Sequence, residues 1–264
     1  MDMARFEELT SPEADSLDRD ATVLLLPVGS IEQHGGHMPL GTDTILANAV
    51  SAEACAQSKA PAFVVPSPWY GYSNHHMRFA GTVTLRAETF TAVVTDIIDS
   101  LVAHGFRRIV LVNGHGGNGA LVDMLASKLG YAHYGRARIA GLTYFELARD
   151  AIARLRRSKT GGMGHAGEFE TAMMQFLRAD LVRTGNADSV YPETGSRYLS
   201  TDLLASNAIS TFLDIADLSP SGTMGDPSLA YAEVGAAYFN ACVTALAGLV
   251  DEFGHWPIMK DGHR

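Results

Sequence analysis

The run Val23-Leu24-Leu25-Leu26-Pro27-Val28 is apolar without a break and empties straight into a glycine-rich polar loop. Continuous apolar character, with no alternation, is what a strand covered on both faces requires. A strand over Thr22–Val28 of that kind needs helices above and below its sheet, so the run predicts an α/β chain. The following pattern agrees. A helix is expected over Asp43–Gln57, with Thr42 or Asp43 near its N-cap, then a short strand over Ala62–Pro66. Phe90, Val93, Val94, Ile97, Ile98, Leu101 and Val102 recur at three-and-four spacing, which predicts a helix over Ala87–His104 closed by Gly105. Next come a strand over Arg108–Val112, a helix over Asn118–Leu129 stopped by Gly130, a strand over Arg138–Tyr144 and a helix over Phe145–Arg157. Strand and helix in turn at this pace imply βαβ units and a mostly parallel sheet. The stretch 183–227 departs from that rhythm: it is rich in Gly, Ser, Asp and Pro, and is expected to be an irregular excursion or a short antiparallel addition, at a site rim or a subunit contact. A last helix is expected over Ser228–Phe253, capped by Gly254. No repeat or linker divides the chain, so one domain over 1–264 is expected.

Bulk properties exclude several classes. A net charge of -9 argues against a nucleic-acid surface, which needs clustered Lys and Arg. The one basic cluster, Arg154 to Lys159, is short and reads as solvated. Cys55 and Cys242 are far apart and fit neither a metal motif nor a disulfide framework, so they read as buried thiols of a reducing compartment. Residues 1–20 are acidic and carry no apolar core of a leader peptide. No run of about 18 apolar residues is found, so no membrane span is expected. A cytoplasmic protein without nucleic-acid or membrane partners follows as the expectation.

Three loops carry chemistry, each after an expected strand or at the opening of an expected helix, where open α/β sheets bind ligands. The first holds Glu32, His34 and Asp43. Carboxylate and imidazole together suit a divalent cation. Asp43 could instead be a helix N-cap, but a cap does not explain Glu32 and His34. Being two apart in extended chain, those two point one way. The second loop is Asn113-Gly114-His115-Gly116-Gly117-Asn118. A phosphate cradle competes with metal ligation here, yet the Lys-Ser/Thr end of a P-loop is missing. The third is Gly164-His165-Ala166-Gly167-Glu168-Phe169-Glu170-Thr171. Glu168 could simply complement a helix dipole; Glu170 is followed by an apolar face, and His165 is near enough to share its site. A fourth piece, His75-His76, is either a pocket rim or a surface turn. Together these loops bring histidines and carboxylates to corresponding ends of βα units, which favours a metal site over a structural reading; a non-enzymatic metal binder, which would show closed coordination, is the competing class to a metal-dependent enzyme.

The motifs resemble the creatininase (creatinine amidohydrolase) family from about Thr22 to Gly235. They are Pro-Val-Gly-Ser-Ile-Glu-Gln-His-Gly-Gly-His-Met-Pro-Leu-Gly-Thr-Asp-Thr at 27–44, Asn-Gly-His-Gly-Gly-Asn at 113–118 and His-Ala-Gly-Glu-Phe-Glu-Thr at 165–171, with Gly222-Thr223-Met224-Gly225-Asp226-Pro227 as the late glycine-rich turn. The resemblance implies a three-layer α/β/α sandwich, a homo-oligomer (often a hexamer) and two divalent ions, Zn, Mn or Fe. It implies Glu32, His34, Asp43, His115 and Glu170 as metal ligands, with Asp43 bridging, and His165 with Glu168 as the proton-handling pair. The implied reaction is attack of a metal-activated water on the C–N bond of a small cyclic amide or formamide. Alternatives are hydrolysis of a C–C bond in a cyclic sugar-derived ketone, or peptide processing. Creatininase itself carries Tyr-Glu, the Glu a ligand, where this chain has Gly116-Gly117, and holds its ring with tryptophans. Here only Trp69 and Trp256 occur, and neither is near His165 in sequence. Those departures point away from creatinine as the substrate.

Overall fold

The computed structural model describes residues 5–259; residues 1–4 and 260–264 of the expected domain lie outside the described residues. In chain order the elements are α1 (Ser11–Ser16), β1 (Val23–Val28), α2 (Thr42–Gln57), β2 (Ala62–Val64), α3 (Ala87–Ala103), β3 (Arg108–Asn113), α4 (Gly119–Ala132) and β4 (Arg138–Thr143). There follow α5 (Tyr144–Leu147), α6 (Arg149–Leu155), β5 (Met163–His165), α7 (Glu168–Arg178), α8 (Ile215–Leu218), β6 (Met224–Gly225) and α9 (Ala232–Phe253). The parallel sheet runs β2-β1-β3-β4, and β5 and β6 form a separate antiparallel pair.

Alternation along the central strands splits the core into two layers. Val23, Leu25, Val110 and Val112 face α2, α7 and α9, while Leu24, Leu26, Ile109 and Leu111 face α3 and α4. Each fully buried aliphatic side chain of this kind contributes about 1.5–3 kcal/mol, and β1 and β3 are buried at every position. The result is the expected α/β/α sandwich. Pro27 fits inside a central strand for a specific reason. Odd-numbered residues of β1 bond toward β2, as the Val65 N–H to Leu25 carbonyl bond shows, and β2 has ended before it draws level with Pro27. The missing N–H therefore costs no ladder bond.

The site follows from the strand order. α2 leaves β1 toward one face and α4 leaves β3 toward the other, so the loops after these adjacent strands part at a topological switch point.

Several boundaries differ from the sequence expectation. α4 runs through Gly130 to Ala132, because an isolated glycine in a supported helix costs only about 1 kcal/mol; the chain turns instead at Gly135, with φ +77°. The expected helix over Phe145–Arg157 is two short helices broken at Ala148. β5 lies where a loop was expected and is made by pairing with the distant β6. α9 begins at Ala232, after a 3-10 turn at Pro227–Leu229. It is also long and apolar enough to cross a bilayer by length and composition, against the expectation that no segment is. In the fold its apolar face is core: Tyr238, Cys242, Val243, Leu246 and Val250 are fully buried, packed on α7 and α2. The closing turn of α3 matches expectation. Gly105 takes φ +88°, and the amides of Gly105 and Phe106 bond back to the carbonyls of Val102 and Leu101.

Helix α9 reaches α7 backbone to backbone at Gly235, where an added Cβ would stand 1.9 Å from the Ala172 carbonyl oxygen. Gly248, on the same helix, faces open space. Gly235→Ala is expected to lower stability by about 1–3 kcal/mol and Gly248→Ala to raise it by up to about 1 kcal/mol, both read from urea midpoints. Equal effects at the two positions would contradict this packing.

Candidate metal centre

Asp43 sits in the first turn of α2 but does not cap it. The N-cap is Gly41, which makes no side-chain cap bond, and the Asp43 carboxylate turns to the imidazoles. Asp43 Oδ1 lies 3.0 Å from His34 Nε2, and Oδ2 lies 3.1 Å from His115 Nδ1 without hydrogen-bond geometry. Glu32 Oε2 is 3.2 Å from the same His115 nitrogen, and Glu170 Oε1 is 3.8 Å from His34 Nε2. All five side chains are buried.

The other nitrogen of each ring decides what this means. His34 Nδ1 is 3.1 Å from the Glu32 carbonyl, His115 Nε2 is 3.1 Å from the Tyr72 carbonyl, and His165 Nε2 is 2.7 Å from the Gln33 carbonyl. A carbonyl only accepts, so each of these nitrogens carries the hydrogen. The inward nitrogen of a neutral ring is then a lone pair facing carboxylate oxygens. Such an arrangement needs a cation between the partners, either a proton or a metal. Three groups with mutually close ligand atoms result: Glu32, Asp43 and His115; His34, Asp43 and Glu170; and Glu32, His34 and His165. Asp43 is common to the first two, and its unpartnered Oδ2 is the orphan that an ion would satisfy. The donor set is oxygen and imidazole, which suits zinc, manganese or iron.

Electrostatics agree. Burial works against a charged His34 ring, but Asp43 and Glu170 overturn it and hold its pKa well above the ordinary value. Burial likewise opposes charge on His115, yet Glu32 and Asp43 push it up to about 10. For Asp43, the burial penalty is outweighed by His34 and His115, and its pKa is depressed. His165 goes the other way: burial, then the neighbouring His34, lowers its pKa and leaves a neutral ring.

Neighbouring residues fix this geometry. Gln33 accepts from Gly35 N–H and donates through Nε2 to the Gly222 carbonyl and to His76 Nδ1. The remaining N–H of His76 therefore faces Glu32 Oε1, 3.3 Å away. Ser73 donates to Glu32 Oε2 at 2.5 Å. Asn113 and Asn118, flanking His115 in its motif, are staples: Asn113 closes the His115 turn in both directions, and Asn118 ties the Gly29 carbonyl to the Tyr72 amide. Ala166 adopts φ +53°, and its N–H holds Glu170 Oε2 at 2.6 Å. His37 bonds Thr171 and joins the first loop to α7. Sequence reasoning passed over Ser73 and His37 and left His76 open as rim or turn, since each acts through a partner remote in the chain.

Glu168 is the correction. It is two residues before Glu170 on a helix, and therefore about 200° around it. Its carboxylate accepts from the backbone amides of Arg157 and Ser158 and from the Tyr238 hydroxyl, and it takes no part in the cavity. It is a buried tether, and the proton-transfer role expected for it is withdrawn. The carboxylate that the resemblance places at position 117 also has no room. A Cβ on Gly117 would come within 2.4 Å of His115 Nε2 and 2.5 Å of the Tyr72 carbonyl oxygen, so on this backbone the second side of Asp43 belongs to Glu170.

The cluster floors a cavity of about 600 Å³, whose far wall comes from the irregular excursion between Ser200 and Leu218. The family model for creatininase (creatinine amidohydrolase) matches residues 7–250. A mycofactocin precursor peptide peptidase of Mycobacterium tuberculosis is 33% identical over 264 residues, covering 97% of this chain and 94% of that protein. Creatinine amidohydrolase of Pseudomonas putida is 31% identical over 243 residues, covering 87% and 89%. A manganese form of creatininase superposes with a TM-score of 0.79 at 31% identity, covering 94% of this chain and 98% of that one.

Two outcomes test this geometry. A raised histidine pKa means a ring protonated at pH 7, so a metal must expel that proton and binds more weakly as pH falls. Calorimetry of zinc binding at pH 7, in buffers of differing ionisation enthalpy, is expected to report about two protons released; release near zero would remove His34 and His115 from the ligand set. Glu168→Ala is expected to keep full metal content while losing stability by about 1–3 kcal/mol for each amide left unpaired, measured by chemical denaturation.

Proposed function

The chain belongs to the creatininase family of hydrolases, and from that premise we propose that it is a metal-dependent amidohydrolase cleaving a C–N bond of a cyclic amide or formamide. The observation that carries this reading is the pair of imidazoles converging on Asp43, each with its outer N–H committed to a main-chain carbonyl. In it, Glu32, Asp43 and His115 would hold one divalent ion and His34, Asp43 and Glu170 a second. Divalent ions there lower the pKa of a water toward neutrality and polarise a carbonyl. His165 handles the proton. Its Nε2–H is fixed on the Gln33 carbonyl, and its Nδ1 lone pair stays on the cluster side, 3.6 Å from Glu32 Oε1. A neutral ring in that position can take a proton from the attacking water and deliver it to the leaving nitrogen, a step worth roughly 10²–10⁴ in rate.

Peptide processing is the second reading, favoured by the similarity to the peptide peptidase and by a cavity that is open rather than sealed around a small ring. Mass spectrometry of peptide digests against released amine from cyclic amides separates the two. A reducing, cytoplasmic setting accords with the buried free thiols of Cys55 and Cys242. Self-association accords with a second, largely apolar groove that includes Trp69, Phe176 and Leu177.

Elemental analysis before and after chelation, with hydrolysis assays over cyclic amides and formamides, is the direct test. Asp43→Ala is expected to lose metal and turnover together. His165→Ala is expected to keep metal and lose roughly 10²–10⁴ in kcat. Undiminished turnover in either variant refutes the role given to that side chain.

A further inference from the structure

The wall opposite the metal-binding cluster carries no cation. Its apolar part is Leu203, Phe212, Leu213, Ile215 and Leu218, and Phe145 and Met224 also line the cavity. Its polar part, Ser200, Thr201, Asn207, Ser210 and Thr211, is neutral. Among the described residues lining the cavity there is no Lys and no Arg, and its carboxylates are Glu32, Asp43 and Glu170. Arginines do occur behind the wall, and each is engaged in holding it. Arg156 pairs with Asp202, Arg149 bonds Ser206, and Arg78 pairs with Asp214 and Asp217. None of the three lines the cavity.

Charge bookkeeping then constrains the ligand. Three carboxylates leave the bare cluster negative, and two divalent ions, on the reading proposed above, bring it close to neutral. The bare cluster has no surplus positive charge, and the single one that two ions would leave lies at the floor with the ions, so neither state offers a cation on the opposite wall to meet a substrate's carboxylate or phosphate. An anion entering would give up its hydration for hydroxyls, an amide and hydrocarbon, which is a net loss unless it is paired. An apolar body loses nothing by the same move, and Phe212, 62% exposed, offers aromatic surface for it. The volume, about 600 Å³, lies within the range of pockets that bury most of a drug-sized molecule.

We propose that the site takes an uncharged amide carrying an apolar, aromatic-sized group that is seated against the apolar wall containing Phe212, and that it discriminates against substrates with a carboxylate or phosphate at that end. This inference rests on the metal-site reading and is independent of whether the amide is cleaved.

Two chelators separate these points. Benzohydroxamate and para-carboxybenzohydroxamate grip a divalent ion through the same group and differ by one anion. Zinc-loaded protein is expected to bind the neutral compound at least about tenfold more tightly, measured by calorimetry. Phe212 is 62% exposed, so Phe212→Arg leaves the core untouched and is expected to shrink or reverse the preference. Equal or tighter wild-type binding of the carboxylate compound, or no binding of either by protein shown to carry zinc, overturns the proposal. Protein that prefers the neutral chelator yet cleaves no amide would sink the hydrolase reading and leave this one standing.

Discussion

An imidazole has two nitrogens, and this molecule commits one of each key pair to its own backbone. The carbonyls of Glu32, Tyr72 and Gln33 each claim a ring hydrogen, from His34, His115 and His165 respectively. What remains is a ring of lone pairs and carboxylates turned on one another, an arrangement that only a positive charge can stabilise. The rest of the structure serves to keep those carbonyls where they are. Gly71 makes one such close approach: a Cβ there would stand 2.3 Å from the Gly29 carbonyl oxygen and meet the Asn118 amide that bridges the two loops. Gly222 makes another, pressed against the Gln33 amide with φ +82°.

The sheet explains why such remote segments can be held together. β1 and β3 are buried at every position and pair over six residues in register, so the ends that launch the Glu32–Asp43 loop and the His115 turn are fixed relative to each other. Helix α7 closes the third side. Its own base is secured by Glu168, whose bonds to Arg157, Ser158 and Tyr238 bind it to the chain before β5 and to α9. The carboxylate once read as chemical is thus an anchor for the base of the helix on which Glu170 stands, while Glu170 itself is held by the Ala166 N–H.

Much of this was legible in the residues. Glu32, His34, Asp43 and His115 stand in glycine-rich segments after apolar runs and Glu170 at the opening of a helix, and the fold brings all five together. The layer architecture followed from one unbroken apolar strand. What escaped notice required partners far along the chain. Nothing local marks Ser73 as a donor to Glu32, or His76 as the end of a relay from Gly35 and Gly222 through Gln33. β5 exists only because β6 pairs with it, and the wall at 200–218 has no period for a sequence pattern to reveal. Glu168 was misjudged for a different reason. Its role was carried over with that of His165, although two steps along a helix put the Glu168 and Glu170 side chains on nearly opposite sides.

Ala166 has a consequence of its own. A left-handed alanine is held against a cost of about 1–2 kcal/mol that glycine would not incur; it directly follows His165, and its own N–H is the donor that grips Glu170. Relaxing this joint with glycine would ease the fold while loosening the grip, because glycine ranges over far more backbone angles. The molecule has accepted a stiff, uncomfortable elbow beside its most demanding geometry. An engineer seeking a hardier version of this protein should expect the easiest gain in durability to come at the point where precision would suffer most.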